Sequence, residues 1–258
     1  VRASLVQIDV NERESAPERR ARIGELVRSL RGSDLVVLPE LWPLGGFAYE
    51  SWQAGAEPLD GPTADVMSAA ARDAGVWLHA GSIVERDPDG PLCNTSLLFA
   101  PDGELHAVYR KIHRFGFDSG EAALMAAGEE LCVVDTPFGR MGLATCYDLR
   151  FPELFRAMLD RGAELFVVPA AWPARRTAHW SLLARARAVE EQALVFACNN
   201  AGTHGGVEQA GRSVVVDPWG DVLGEAGTGE EVLTVEFAPA VVARTREEFP
   251  VLRDRQKW

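Results

Sequence analysis

Three apolar runs in this chain end in residues that can do chemistry together. "DLVVLPE" ends in Glu40, "AVYRK" in Lys111 and "MGLATC" in Cys146. A thiol is a weak nucleophile until it loses its proton, and a neighbouring carboxylate can take that proton. A lysine ammonium can stabilise the oxyanion that develops when a carbonyl is attacked. Singly, each residue also has a plainer use. Glu40 can be a helix N-terminal acid, Lys111 a surface lysine, and Cys146 a small residue filling a strand end. An α/β sheet would bring them together, because side chains at the carboxyl ends of strands emerge from a rigid layer into a crevice.

The positioning elements follow from periodicity. "ASLVQIDV" and "DLVVLPE" read as strands, the second closed by Pro39. Pro17 to Leu30 carries Ile23, Leu26, Val27 and Leu30 at helical spacing. "GPTADVMSAAARDAG" reads as a helix opened by Pro62 and stopped by Gly75. "VWLHAGSIVE" is the next strand. "TSLLFAPDGELHAVYRK" is a hairpin around Pro-Asp-Gly, and "LCVVDTPFGRMGLATC" is a second one turning at Pro137 to Arg140. A helix over "PELFRAMLDRGA" has Pro152 near its start and Gly162 at its end. "ELFVVPA" and "LVFACN" are strands flanking a helix over Thr177 to Gln192. "GRSVVVDPWGDVLGEAG" is a third hairpin and "EEVLTVEF" the last strand. Hairpins mixed with helix crossovers predict mixed sheets rather than a purely parallel one. Several strands are apolar on both faces, which suits sheets covered by helices on one side and by another sheet on the other.

Composition narrows the function. With 258 residues, 47% hydrophobic and 25% charged, the chain reads as one globular α/β domain over 1–258. A net charge of −12 argues against nucleic acid and anionic membranes as partners, and still permits a local positive pocket for a small anion. Neither a membrane span nor a secretory signal is visible. The four cysteines lack C-x-x-C spacing, so the expectation is free thiols in a reducing, cytoplasmic setting. Cys93, Cys132 and Cys198 read as small buried residues. No dinucleotide, P-loop or G-x-S-x-G pattern is present. His79, His106, His113, His179 and His204 form no recognisable ligand set. The expectation is an enzyme with neither metal nor cofactor.

"LVVLPELW", "YRKIH" and "GLATCYDLRFPELFR" together resemble the glutamate, lysine and nucleophile segments of the nitrilase superfamily of carbon–nitrogen hydrolases. "ARARAVEEQALVFACNNAG" and "GRSVVVDPWGDVLGEAG" extend the resemblance over almost the whole chain. It implies an α-β-β-α sandwich of mixed sheets that commonly forms homodimers across a helical face. It also implies Glu40 as general base, Lys111 as oxyanion stabiliser and Cys146 as nucleophile. Glu121, in "GEAALMAAG", stands where the family often has a second glutamate. That glutamate either positions the lysine and the substrate amide or simply pairs with the lysine. The implied reaction is acyl transfer through a thioester, releasing ammonia.

"CYDLRFPE" resembles the amidase branches rather than the nitrile-hydrolysing ones, and "LPELWPLGGFAYE" resembles omega-amidase-like members. Such members cleave the terminal amide of short 2-oxo dicarboxylic acid monoamides. Related branches take N-carbamoyl compounds or deaminated glutathione, and a pseudoenzyme or acyltransferase on the same fold is a further alternative. The distant carboxylate of a monoamide calls for a fixed cation, and arginine offers a bidentate fork. Arg150 leads, with pairing to Asp148 or Glu153 as its structural alternative. Arg175 and Arg176 follow, with surface solvation as theirs. Trp42, Phe47, Tyr147 and Trp172 are expected at the pocket wall, while His113 and Asp148 read as structural.

Overall fold

The apolar runs pair into two sheets in the computed structural model, which describes residues 1–87 and 90–256. The first part of the chain supplies β1 (Arg2–Gln7), α1 (Ala16–Ser29), β2 (Leu35–Val37), α2 (Tyr49–Gly55), α3 (Pro62–Ala74), β3 (Trp77–Arg86), β4 (Leu92–Phe99), β5 (Leu105–Arg110), α4 (Gly120–Leu124) and β6 (Met125–Ala126). Then come β7 (Cys132–Thr136), β8 (Gly139–Leu143), α5 (Pro152–Asp160), β9 (Leu165–Ala170), α6 (Thr177–Glu191) and β10 (Leu194–Asn199). The remainder forms β11 (Thr203–His204), β12 (Val207–Glu208), β13 (Val214–Val216), β14 (Val222–Glu225), β15 (Glu231–Glu236) and α7 (Ala240–Glu248).

One sheet runs β15-β1-β2-β3-β4-β5, with β6 also on β4, and the other runs β14-β13-β10-β9-β8-β7. Each has a parallel centre, β1-β2-β3 and β8-β9-β10, and antiparallel flanks, in which β3-β4-β5, β7-β8 and β13-β14 pair consecutive strands while β1-β15 and β10-β13 join strands that are not consecutive. The sheets are therefore mixed, as the alternation of hairpins and crossovers predicts. Side-chain alternation makes the layers. In β9, Leu165 and Val167 face the other sheet, where they meet Leu5, Val37 and Leu98. Phe166 and Val168 face outward onto Phe155 and Met158 of α5 and Ala184 and Ala188 of α6. On the opposite outer face, Ile23 and Val27 of α1 and Met67 and Ala70 of α3 cover Val6, Val36 and Leu78. The result is the α-β-β-α sandwich. No described helix is long and apolar enough to cross a membrane.

Local sequence explains the helix limits. Ser15 caps α1 in a box with Glu18, and Gly75 ends α3 at φ 70, a left-handed conformation that a side chain would strain. Two expected strands are shorter than their apolar runs. "DLVVLPE" pairs only over Leu35–Val37, and the run into Cys146 only as far as Leu143. Glu40 and Cys146 thus lie on turns beyond the strands. Pro39 has no N–H to continue a ladder, and the N–H of Thr145 goes to the Asp148 carboxylate at 2.8 Å. Helices α2, α4 and α7 and the β11–β12 ribbon have no counterpart in the periodicity reading.

Candidate active site

Three turns converge above the strand ends. Glu40 follows β2 with its backbone carbonyl held by Asn200 Nδ2 at 2.8 Å. Beneath it, Gly81 sits at φ 67, and a Cβ there would fall 1.9 Å from the Pro39 carbonyl oxygen, so only glycine lets β3 pass. Lys111 comes one residue after β5, its N–H bonded to the Asn94 carbonyl at 2.9 Å. Cys146 opens a 3-10 turn at φ 46, the left-handed region that non-glycine residues avoid and that gathers at functional sites. Asp148 holds that turn. Fully buried, it accepts from Tyr109 Oη at 2.7 Å, Thr145 N at 2.8 Å and His113 N at 3.0 Å, and lies 2.8 Å from His113 Nδ1. It thereby ties the lysine segment to the cysteine segment, which is the structural role expected of His113 and Asp148.

The charges form a closed set. Lys111 Nζ donates to Glu40 Oε1 at 2.8 Å and to Glu121 Oε2 at 2.7 Å, with all three residues buried. Asn94 Nδ2 donates to Glu40 Oε1 at 2.8 Å and to Glu121 Oε1 at 2.7 Å. Glu40 Oε2 accepts the Ala171 N–H at 2.8 Å, and Glu121 Oε2 also accepts the Phe115 N–H at 2.8 Å. Burial works against the Lys111 charge, but Glu121, Glu40 and the Cys146 sulfur outweigh it and hold its pKa well above the ordinary lysine value. Burial raises the Glu121 pKa, with Glu40 adding to the rise and Lys111 opposing it. Burial and then the Glu40 charge push the Cys146 thiol well above its ordinary value, and a hydrogen bond to Glu40 acts the same way. The resting site therefore holds a neutral thiol against a carboxylate, beside a permanently charged lysine.

This cluster forms one wall of a small cleft that opens to solvent. Phe47, Tyr49, Trp52, Phe115, Tyr147 and Trp172 are its aromatic lining. Arg150 and Arg176 also line it, the first stacked 4.6 Å over Trp172 and the second 5.1 Å over Phe115. Neither guanidinium has a carboxylate partner among the described residues; Arg150 Nη2 instead meets His179 Nδ1 at 3.2 Å. Burial and the nearby Arg175 and Arg150 lower the pKa of Arg176.

A sequence model of the carbon–nitrogen hydrolase family matches residues 2–247. The chain belongs to this family. It is 45% identical over 260 residues to the 2-oxoglutaramate amidase of Paenarthrobacter nicotinovorans, spanning 98% of this chain and 88% of that protein. It is 35% identical over 265 residues to the omega-amidase NIT2 of Homo sapiens, spanning 99% of this chain and 95% of that one. Its fold is similar to that of XC1258 from Xanthomonas campestris, a CN-hydrolase superfamily protein solved with an arsenic adduct in its active site. The TM-score is 0.91 at 34% identity, over 100% of this chain and 98% of the other. The chain is thus on the amidase side of the superfamily, a hydrolase of carbon–nitrogen bonds other than peptide bonds.

Within this carbon–nitrogen hydrolase, most of the expected residues share the cavity. Glu40, Lys111, Glu121, Cys146, Tyr147, Arg150, Phe47 and Trp172 all line it. Trp42 does not. Its ring is fully buried among Val36, Leu38 and Leu78, and its Nε1 donates to the Ala80 carbonyl at 2.9 Å. The reason is the turn at Leu41, where φ is 46: the chain reverses there, and Trp42 returns under the sheet instead of facing the mouth. Of the two second candidates, Arg175 is exposed and outside the lining, as its surface alternative expects, whereas Arg176 lines the cavity. Arg150 pairs with neither Asp148, whose oxygens are taken, nor Glu153. Asn94 escaped the sequence reading altogether. Its signal was available: an asparagine inside the strand "LCNTSLLF", where a buried amide is costly unless bonded.

Proposed function

We propose that the protein is an omega-amidase-like enzyme, hydrolysing the terminal amide of a short monoamide that carries a carboxylate. One observation carries the reading. A cysteine beside a carboxylate and a lysine faces two arginines that have no acid of their own, across a single small cavity. The substrate carboxylate bonds to Arg150 and Arg176, and its amide carbonyl lies over Cys146. Glu40 takes the thiol proton as sulfur attacks the carbonyl carbon, and the carbonyl electron pair moves onto oxygen. Lys111 and the Tyr147 backbone N–H hold that oxyanion. When the oxyanion collapses, the C–N bond breaks, and nitrogen takes the proton from Glu40 and leaves as ammonia. Glu40 next removes a proton from water. The hydroxide attacks the thioester, and the released thiolate recovers the proton as the carboxylic acid departs. Glu121 keeps Lys111 charged and in place.

The active unit is a homodimer joined through the α6 face. Leu182, Val189, Trp219 and Phe249 are exposed on that face, at 67%, 49%, 49% and 54%, an apolar area larger than scattered surface residues make. Four free thiols fit a reducing, cytoplasmic setting. Ammonia release from a panel tests the substrate reading: 2-oxoglutaramate, neutral amides of equal length, deaminated glutathione, N-carbamoyl acids and nitriles. The short acidic monoamide should give the highest kcat/KM. A preference for neutral amides or nitriles would defeat it, and a preference for deaminated glutathione would move the enzyme to that branch. Light scattering on the eluted protein gives the oligomer size, and a monomer mass would refute the dimer.

A further inference from the structure

We infer that Asn94 is a positioning residue, whose side-chain amide fixes the orientation of Glu40 by bridging it to Glu121. Asn94 lies on β4 with β3 on one side and β5 on the other, so its backbone cannot shift. It is 2% exposed, and both protons of its Nδ2 are used, at 2.8 Å on Glu40 and 2.7 Å on Glu121. The amide has one possible orientation, because reversing it would set a carbonyl oxygen against two carboxylates. Its Oδ1 accepts from no protein group among the described residues.

Two consequences follow for the reaction. Two acids share one lysine here, and two unscreened carboxylates this close favour protonation of one of them. A neutral amide donating to both favours the doubly ionised form without adding a charge. Orientation is the second consequence. Glu40 Oε1 is occupied by Lys111 and Asn94, while Oε2 has only the Ala171 N–H. The lone pair available to the thiol proton is then on Oε2.

The other charged and titratable groups facing this cluster are Lys111, the Cys146 thiol, the Tyr49 hydroxyl, which in turn feels Arg176, and the buried His204 imidazole, which feels Glu40. Glu85, on the opposite face of β4, accepts from both Thr95 Oγ1 and Arg110 Nε. The inference rests on Glu40 being the base of the amidase reaction, so the native enzyme is assayed first. A native enzyme without amide turnover would defeat that reading rather than this one.

With turnover in hand, Asn94→Leu removes the donor at similar volume, and Asn94→Asp replaces it with a third acid. For folded Asn94→Leu, kcat should fall roughly ten- to a hundredfold, as when charged hydrogen bonds are lost, with KM within about threefold of native. The acid limb of the kcat profile should move to higher pH, because Glu121, which the Asn94 amide also holds at 2.7 Å, loses a donor to its charged form. In Asn94→Asp the added negative charge should move that limb further still. If Asn94→Leu does not fold, the limb of Asn94→Asp decides alone. A kcat within about twofold of native, a loss of kcat with the acid limb unmoved, or failure of both variants to fold would each overturn the assignment.

Discussion

The two walls of the cavity handle charge in opposite ways. On one, every charge has a partner: Lys111 bridges Glu40 and Glu121, and Asn94 and backbone N–H groups take the remaining oxygens. On the other, Arg150 and Arg176 rest on aromatic faces with no acid beside them. A fully paired wall is fixed before substrate arrives, which is what stabilising a developing charge requires. An unpaired wall is incomplete until an anion enters. The comparison separates chemistry from recognition: damage to the first wall should slow every amide alike, and damage to the second should depend on the substrate's charge.

The largest effect expected is at the nucleophile. Cys146→Ala should abolish turnover of acidic and neutral amides alike, with the fold intact by circular dichroism. Iodoacetamide should modify Cys146 before the other thiols in peptide mapping. Cys198 is fully buried, and burial pushes the Cys132 thiol up to about 11 with no base beside it. Activity lost in step with modification of Cys93 or Cys132 would break the assignment.

Glu40→Gln and Lys111→Met come next. Each should lower kcat by roughly 10²-fold or more for any amide, the usual scale for one acid–base or oxyanion group. Near-native turnover in either variant would mean that the paired wall is only structural. Arg150→Met should behave differently. It should lower kcat/KM about ten- to a hundredfold for a carboxylate-bearing amide, matching the roughly 1.5–3 kcal/mol of a charged hydrogen bond. A neutral amide of equal length should change little. Equal losses on both substrates would erase the distinction between the walls.

The smallest effect is on pH dependence. Burial and Glu40 raise the Glu121 pKa above the ordinary 4.5, and Glu121 is needed ionised to keep Lys111 in place. Activity should therefore fall as pH drops through that raised value, so the acid limb of kcat/KM should lie above 4.5. Full activity persisting to pH values below an ordinary glutamate pKa would show that Glu121 does not govern the lysine.

Periodicity in the sequence determined mixed sheets covered on both faces, and the resemblance of its short segments to the nitrilase superfamily implied the two-sheet sandwich and the central chemistry. Strands apolar on both faces need a cover on each side, and the hairpin and crossover signals between them are local, so β4–β5, β7–β8 and the α3 and α5 helices are legible from neighbouring residues. Glu40, Lys111 and Cys146 were legible too, because each closes an apolar run within a distinctive short segment. Where the side chains point was decided only by tertiary structure. Trp42 and Phe47 lie in one apolar loop, yet the left-handed turn at Leu41 sends the first into the core and leaves the second in the cavity. Arg175 and Arg176 are adjacent, but a 3-10 turn over Ala174–Arg176 aims only one of them inward. Asn94 gains its place from partners 54 and 27 residues away in the chain, contacts that no local pattern can encode. Local sequence fixes which backbone segments form. Convergence of charges from separate strands depends on how the two sheets are registered, and that is a property of the packed molecule.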